Sequence, residues 1–148
     1  VFAALGGMLA ALAALAVLAA AAVLVGRSLA AGPNAIGAWA VRWLQSAAPD
    51  AVDKAYWDAT LGGVLTTGVT GAVVGALFGA TATRWREGRL LTGGIGVGLA
   101  TWAAVTWAIA PALDPLLLRV FDWRLLLPVC VLFGLLLGRW LQVGRAAV

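Results

Sequence analysis

The stretch ATLGGVLTTGVTGAVVGALFGATAT, residues 59–83, decides the fold. It carries no charge, and Gly63, Thr67, Gly71, Gly75, Gly79 and Thr83 return in it every fourth residue. Side chains four apart share one face of an α-helix, so this spacing predicts a helix with one smooth side rather than a strand, whose faces alternate with period two. A hydrocarbon core of about 30 Å is crossed by about 20 helical residues, and this uncharged segment is long enough. Apolar burial gives helices in lipid no reason to associate, whereas small residues let two backbones meet closely. The stretch reads as a transmembrane helix built for close approach.

Working outward, three further segments meet the same length criterion. Residues 1–26 hold only apolar and small side chains. No basic region or small-residue cleavage site flanks them, so a span is expected there rather than a secretory signal. Residues 90–113 end close after Pro111 and contain Gly94 and Gly98 in GxxxG spacing, repeated by Gly134 and Gly138 in residues 121–143. The apolar centre of this last segment, Leu125 to Gly138, would extend about 21 Å at the α-helical rise. It is expected to draw on Phe121–Arg124 and Arg139–Val143, with the two flanking arginines snorkelling to the headgroups. Pro128 predicts a kink.

Composition agrees: of 148 residues, 64% are hydrophobic and 11% charged, against about 25% charged in soluble domains. Mean hydropathy is +1.02. A water-soluble globule and a disordered chain are both excluded. The expected fold is all-α and polytopic: a single domain, residues 1–148, of four transmembrane helices plus one or two short interfacial helices.

The connection after the first span, Arg27 to Asp58, is too long for a tight hairpin and too polar to cross. Within residues 34–47, Ile36, Trp39, Ala40, Trp43 and Leu44 fall at helical spacing with Arg42 and Gln45 between them, predicting an amphipathic helix lying in the membrane surface. Pro33-Asn34 and Ala48-Pro49-Asp50 bracket it as turns. A second short helix is expected from Pro115 to Trp123, with Asp114 as cap and Pro115 in the first helical position.

Charge sets orientation. Arg84, Arg86, Arg89, Arg139 and Arg145 lie on one side, and Arg27, Arg42, Lys54, Arg119 and Arg124 on the other. Numbers tie, but three arginines crowd the loop 84–89, while the other five are spread out and accompanied by Asp50, Asp53, Asp58, Asp114 and Asp122. Positive charge packed close to span ends marks the cytoplasmic side, so both termini are expected inside a bacterial cytoplasmic membrane. The adjoining pairs Arg42-Trp43, Arg84-Trp85, Trp123-Arg124 and Arg139-Trp140 read as interfacial anchors, or, with Arg86 and Arg89, as contacts for anionic lipid.

Little chemistry is encoded. Histidine is absent, Cys130 is alone and falls in an apolar helix, and all six acids sit in connections. An enzyme needs paired carboxylates, a nucleophile beside a base, or a metal cluster, and no such grouping is legible; no enzymatic activity, metal or cofactor is expected, although a bound lipid is admitted. The GxGxG at Gly94–Gly98 lacks the strand that would make it a nucleotide fingerprint. A pI near 10.7 follows from a formal charge of +4 on a lipid-buried chain and does not imply nucleic acid. Thr66, Thr67, Thr70, Thr101 and Thr106 are expected to bond the carbonyl one turn back. Trp102 and Trp107 are expected to fill space opposite glycine faces.

Leu77-Phe78-Gly79 and Leu132-Phe133-Gly134-Leu135-Leu136-Leu137-Gly138, with Trp107–Pro111 between them, make roughly half the chain similar to small multi-helix bacterial membrane proteins known mainly as domains of unknown function. Such proteins often carry histidine where this chain has Cys130, so a metal or haem role does not transfer. The expected function is a non-catalytic accessory or scaffolding subunit of a larger membrane assembly, packing through Gly63, Thr67, Gly71, Gly75, Gly79, Gly94, Gly98, Gly134 and Gly138 against membrane subunits or copies of itself. The alternative is a homo-oligomeric channel or carrier for a small solute.

Overall fold

The computed structural model describes residues 1–54 and 56–146, except the side chains of Arg42, Glu87 and Ala146. Among them every regular element is helical: α1 Phe2–Leu24, α2 Ala31–Gly37, α3 Arg42–Gln45, α4 Trp57–Thr81, α5 Glu87–Ala104, α6 Ala110–Leu113, α7 Pro115–Val120 and α8 Trp123–Ala146. Four stretches are long and apolar enough to cross a bilayer: Phe2–Leu24, Trp57–Arg84, Gly88–Leu113 and Trp123–Arg145. The protein is an all-α polytopic membrane protein.

Each span ends for a local reason. Gly26 stops α1 at φ +80°, a left-handed backbone suited to glycine, while Gly26 and Arg27 donate their amides to the carbonyls of Val23 and Ala22 (3.0 and 2.9 Å). That pair of bonds is the Schellman stop. Beyond α5 the third span widens into a π-turn, Val105–Ile109, before α6. Pro111 lies just past it; a proline cannot donate to the carbonyl of Trp107, four residues back, and its ring crowds that carbonyl, so the wider turn relieves the clash. The fourth span starts at Trp123 and continues through Pro128 to Ala146, with Phe121 in extended backbone outside it.

The spans stand in the order α4–α1–α8–α5. The broad contacts are α1 with α4, α5 with α8 and α1 with α8; α4 and α5, though joined by a short loop, touch only slightly or not at all. Burial follows: the most apolar window of each span is 39% and 33% buried in α1 and α8, but 28% and 17% in the flanking α4 and α5.

One expected element is corrected. Residues 34–47 do not form a single surface helix: α2 gives way to a 3-10 turn over Ala38–Ala40, and Val41 (φ −123°, ψ 87°) breaks the chain before α3. The face that enters the protein is not the aromatic one. Ala31, Asn34, Ala35 and Ala38 are fully buried, while Trp39 and Trp43 are about half exposed. Small residues win the interior because α2 packs on α4, where a Cβ on Gly37 would stand 1.8 Å from the carbonyl oxygen of Ala59. The second short helix forms over Pro115–Val120 and ends before Phe121, burying Leu116 and Leu117.

Candidate functional site

Helix alternation places residues 25–54 and 114–122 at one membrane face and residues 82–89 and the end of α8 at the other. The second, basic face holds Arg84, Arg86, Arg89, Arg139, Arg145 and Glu87, which account for the whole formal charge of +4; the first face balances five bases with five aspartates.

The glycines meet each other inside the chain. A Cβ on Gly71 would lie 2.4 Å from the Cβ of Ala11 and 2.5 Å from the oxygen of Gly7; on Gly75, 2.4 Å from the oxygen of Ala3; on Gly79, 2.3 Å from the Cβ of Ala3. Gly63 faces Pro33 of α2, at 2.0 Å from its oxygen. Thr67 is only half-buried; at this level Gly68 turns towards Met8 and Leu12. Gly94 and Gly98 of α5 abut Gly134, Gly138 and the Cys130 carbonyl of α8 in the same way. These faces are therefore occupied in the monomer, and a partner would meet other surfaces.

The arginine–tryptophan pairs divide. Trp140 turns inward, stacked on Phe2 at 5.3 Å and donating its indole N–H to the Phe2 carbonyl (3.3 Å). Trp85 meets Phe78 edge to face at 5.8 Å, lies over Gly93, and its carbonyl accepts from Arg145 (2.6 Å); Arg145 also donates to the Ala82 carbonyl. Trp43 meets Tyr56 edge to face at 5.0 Å, and Arg124 lies 5.3 Å from the Trp123 ring centre. Arg84, Arg86 and Arg89 are exposed. Arg139 donates to Gln142 (3.2 Å). The Arg42 side chain lies outside the described residues.

The most site-like region is at the charge-balanced face, where the π-turn meets α7 and the start of α8. Here Thr106, Leu118, Arg119, Asp122 and Trp123 line a cavity of about 460 Å³. Thr106 is 8% exposed, yet its hydroxyl finds no hydrogen-bond partner, unlike Thr81, which bonds the Leu77 carbonyl one turn back (3.1 Å). The expectation of self-satisfied threonines also fails at Thr66, which accepts from the indole of Trp39 (3.0 Å). Arg119 is held from the side: one nitrogen donates to the Gln45 carbonyl (2.7 Å), while the Gln45 amide donates to Leu113 (3.1 Å). Asp122 accepts from the Arg124 amide through Oδ1 (3.0 Å). Trp102 donates to the Trp123 carbonyl (3.0 Å) and contacts both Trp107 and Trp123, so it braces this end of the bundle.

Next to this region Asp114 is 5% exposed. It stands at the cap position of α7, but neither carboxylate oxygen completes a hydrogen bond. Burial pushes its carboxyl up to about 7, a rise moderated by the nearby amides of Leu117 and Leu116 and by Arg119. The cap expected of Asp114 is thus positional: its backbone carbonyl, not its side chain, accepts from Leu117 (3.2 Å).

Sequence spacing had not singled out Asn34. Fully buried, it donates to the carbonyls of Val52 and Lys54 (2.8 Å each) and accepts from the Thr60 hydroxyl (2.6 Å), tying the connection to α4. Asp53 fastens the other end, bound by Arg27 (3.1 Å) and by the Ser28 amide (3.0 Å). Family models, curated proteins and solved structures offer no match to this chain.

Proposed function

We propose that the chain is a non-catalytic accessory or scaffolding subunit of a larger assembly in a bacterial cytoplasmic membrane, with both termini cytoplasmic, docking through the outer face of α5 and the π-turn that follows. One observation carries this reading. Gly88, Thr92, Gly96, Ala100, Ala104 and Ala108 recur every fourth residue, and all are exposed. This second row of small residues has no helix against it: a Cβ on Gly88 or Gly96 would meet nothing within 4 Å. The outer row of α4 is the contrast, because Leu61, Leu65, Val69, Val73 and Leu77 are large and 53–66% exposed. Branched side chains mix readily with acyl chains, whereas a smooth groove of small residues favours another helix at close range.

The test is native mass spectrometry of the full chain extracted gently from its own membranes. Co-extraction with different subunits at fixed stoichiometry, lost in an Ala100→Leu variant that keeps its helical content, is the expected result. A monomer from the unaltered protein would overturn the reading, and a clean homo-oligomer would transfer it to a channel or carrier.

A further inference from the structure

The cavity beside the π-turn holds three kinds of polar group that its own neighbours leave under-used. Thr106 is more than nine-tenths buried and lines the cavity with an unpartnered hydroxyl. Leaving a buried hydroxyl without a partner is unfavourable, and π-turns, which are rare, recur at binding sites. Arg119 contributes a guanidinium with five donors, one of which is used on Gln45. Asp122 contributes a carboxylate whose Oδ1 is engaged by Arg124. A cation and an anion lining one cavity, at the membrane face whose charges balance, match a ligand that carries both signs.

We propose that this cavity binds the phosphoethanolamine headgroup of a zwitterionic phospholipid: phosphate on Arg119, primary ammonium on Asp122, and an ester oxygen on the Thr106 hydroxyl. The volume of about 460 Å³ is within the span of small-molecule sites, about 300–1,000 Å³. Depth fits the three roles, since Thr106 lies inside the third span while Arg119 and Asp122 lie in the connection beyond it. An ammonium with N–H donors is favoured over a quaternary one, because the latter is held by aromatic cages, and Trp123, the single aromatic among the described residues that line the cavity, already faces Arg124. Trp107 and Ile109, one and three residues beyond Thr106, are exposed apolar side chains open to the acyl chains. This site adjoins the docking face proposed above through the π-turn, but it is read by lipid retention, which does not rest on that reading.

The test is native mass spectrometry of the full chain released from nanodiscs containing equal phosphatidylethanolamine and phosphatidylglycerol. One phosphatidylethanolamine is expected to remain per chain, in at least tenfold preference over phosphatidylglycerol. Thr106→Val, which exchanges a hydroxyl for a methyl of the same shape, is expected to lower retention about tenfold without lowering the thermal midpoint, and Asp122→Asn to abolish the preference, both with unchanged helical content. Equal retention of the two lipids, or undiminished retention by both variants, would overturn the proposal. Binding of soluble glycerophosphoethanolamine without retained phosphatidylethanolamine would overturn its assignment to a lipid. Should Asp122→Asn fail to fold, Arg119→Gln decides, read as lowered retention of phosphatidylethanolamine.

Discussion

At the scale of single residues, the glycines of this chain are of two kinds, and substitution separates them. Gly71→Ala would force a Cβ to 2.4 Å from Ala11 and 2.5 Å from the Gly7 backbone, so α1 and α4 must part. We expect a loss of about 1–3 kcal/mol, the usual cost of overpacking. Gly96→Ala meets open space and should raise stability by up to about 1 kcal/mol, through helix propensity alone. Denaturant titration of both variants in one detergent checks the pair, and equal effects would deny the contact. Asp114 makes a second prediction. Its carboxyl, lifted from 3.8 to about 7 by burial, binds its proton more tightly in the fold than in the unfolded chain. Stability is therefore expected to fall as pH rises from about 4 to about 7 and to level off above. Thermal midpoints measured across this range should show that slope, and Asp114→Asn should flatten it.

At the scale of elements, the spans were legible because a bilayer demands long uncharged helices, and the regular spacings from Gly63 to Gly79 and from Gly94 to Gly98 name the sides that approach other backbones. The connection after α1 was not legible in the same way. Ile36, Trp39 and Trp43 have a helical period, but period reports only that residues share a face, not whether lipid or protein covers it. The alanines between them, mute in any hydropathy pattern, take the buried side because they fit against α4. Nor could spacing mark Asn34, whose partners Val52, Lys54 and Thr60 lie far along the chain. Asn34→Ala would strand two carbonyls, and we expect a loss of about 3 kcal/mol together with faster protease cleavage between Arg27 and Lys54 in detergent; unchanged cleavage would mean the connection is held by other contacts. The Thr106 cavity was hidden for another reason, since it depends on a π-turn that shifts the register of the third span. The outer row from Gly88 to Ala108 was present in the sequence, overshadowed by Gly94 and Gly98 on the same helix.

At the scale of the whole molecule, charge and shape are both asymmetric. All of the formal surplus sits at the basic face, and replacing Arg84, Arg86 and Arg89 together by Ala would erase most of it. A part of the chains is then expected to insert upside down, read as mixed protease accessibility of the connection 114–122 in sealed vesicles; uniform insertion would show that the remaining charges suffice. Shape is set by the order α4–α1–α8–α5, in which successive spans pair first: α1 with α4, and α5 with α8. During synthesis, the amino-terminal hairpin can lock its glycine contacts while the rest of the chain is still on the ribosome. The seam between α1 and α8, where Trp140 stacks on Phe2, closes only once the last span has entered the bilayer. Until then one side of α1 stays open, and any insertion factor attending this nascent chain has that interval, and that surface, in which to hold it.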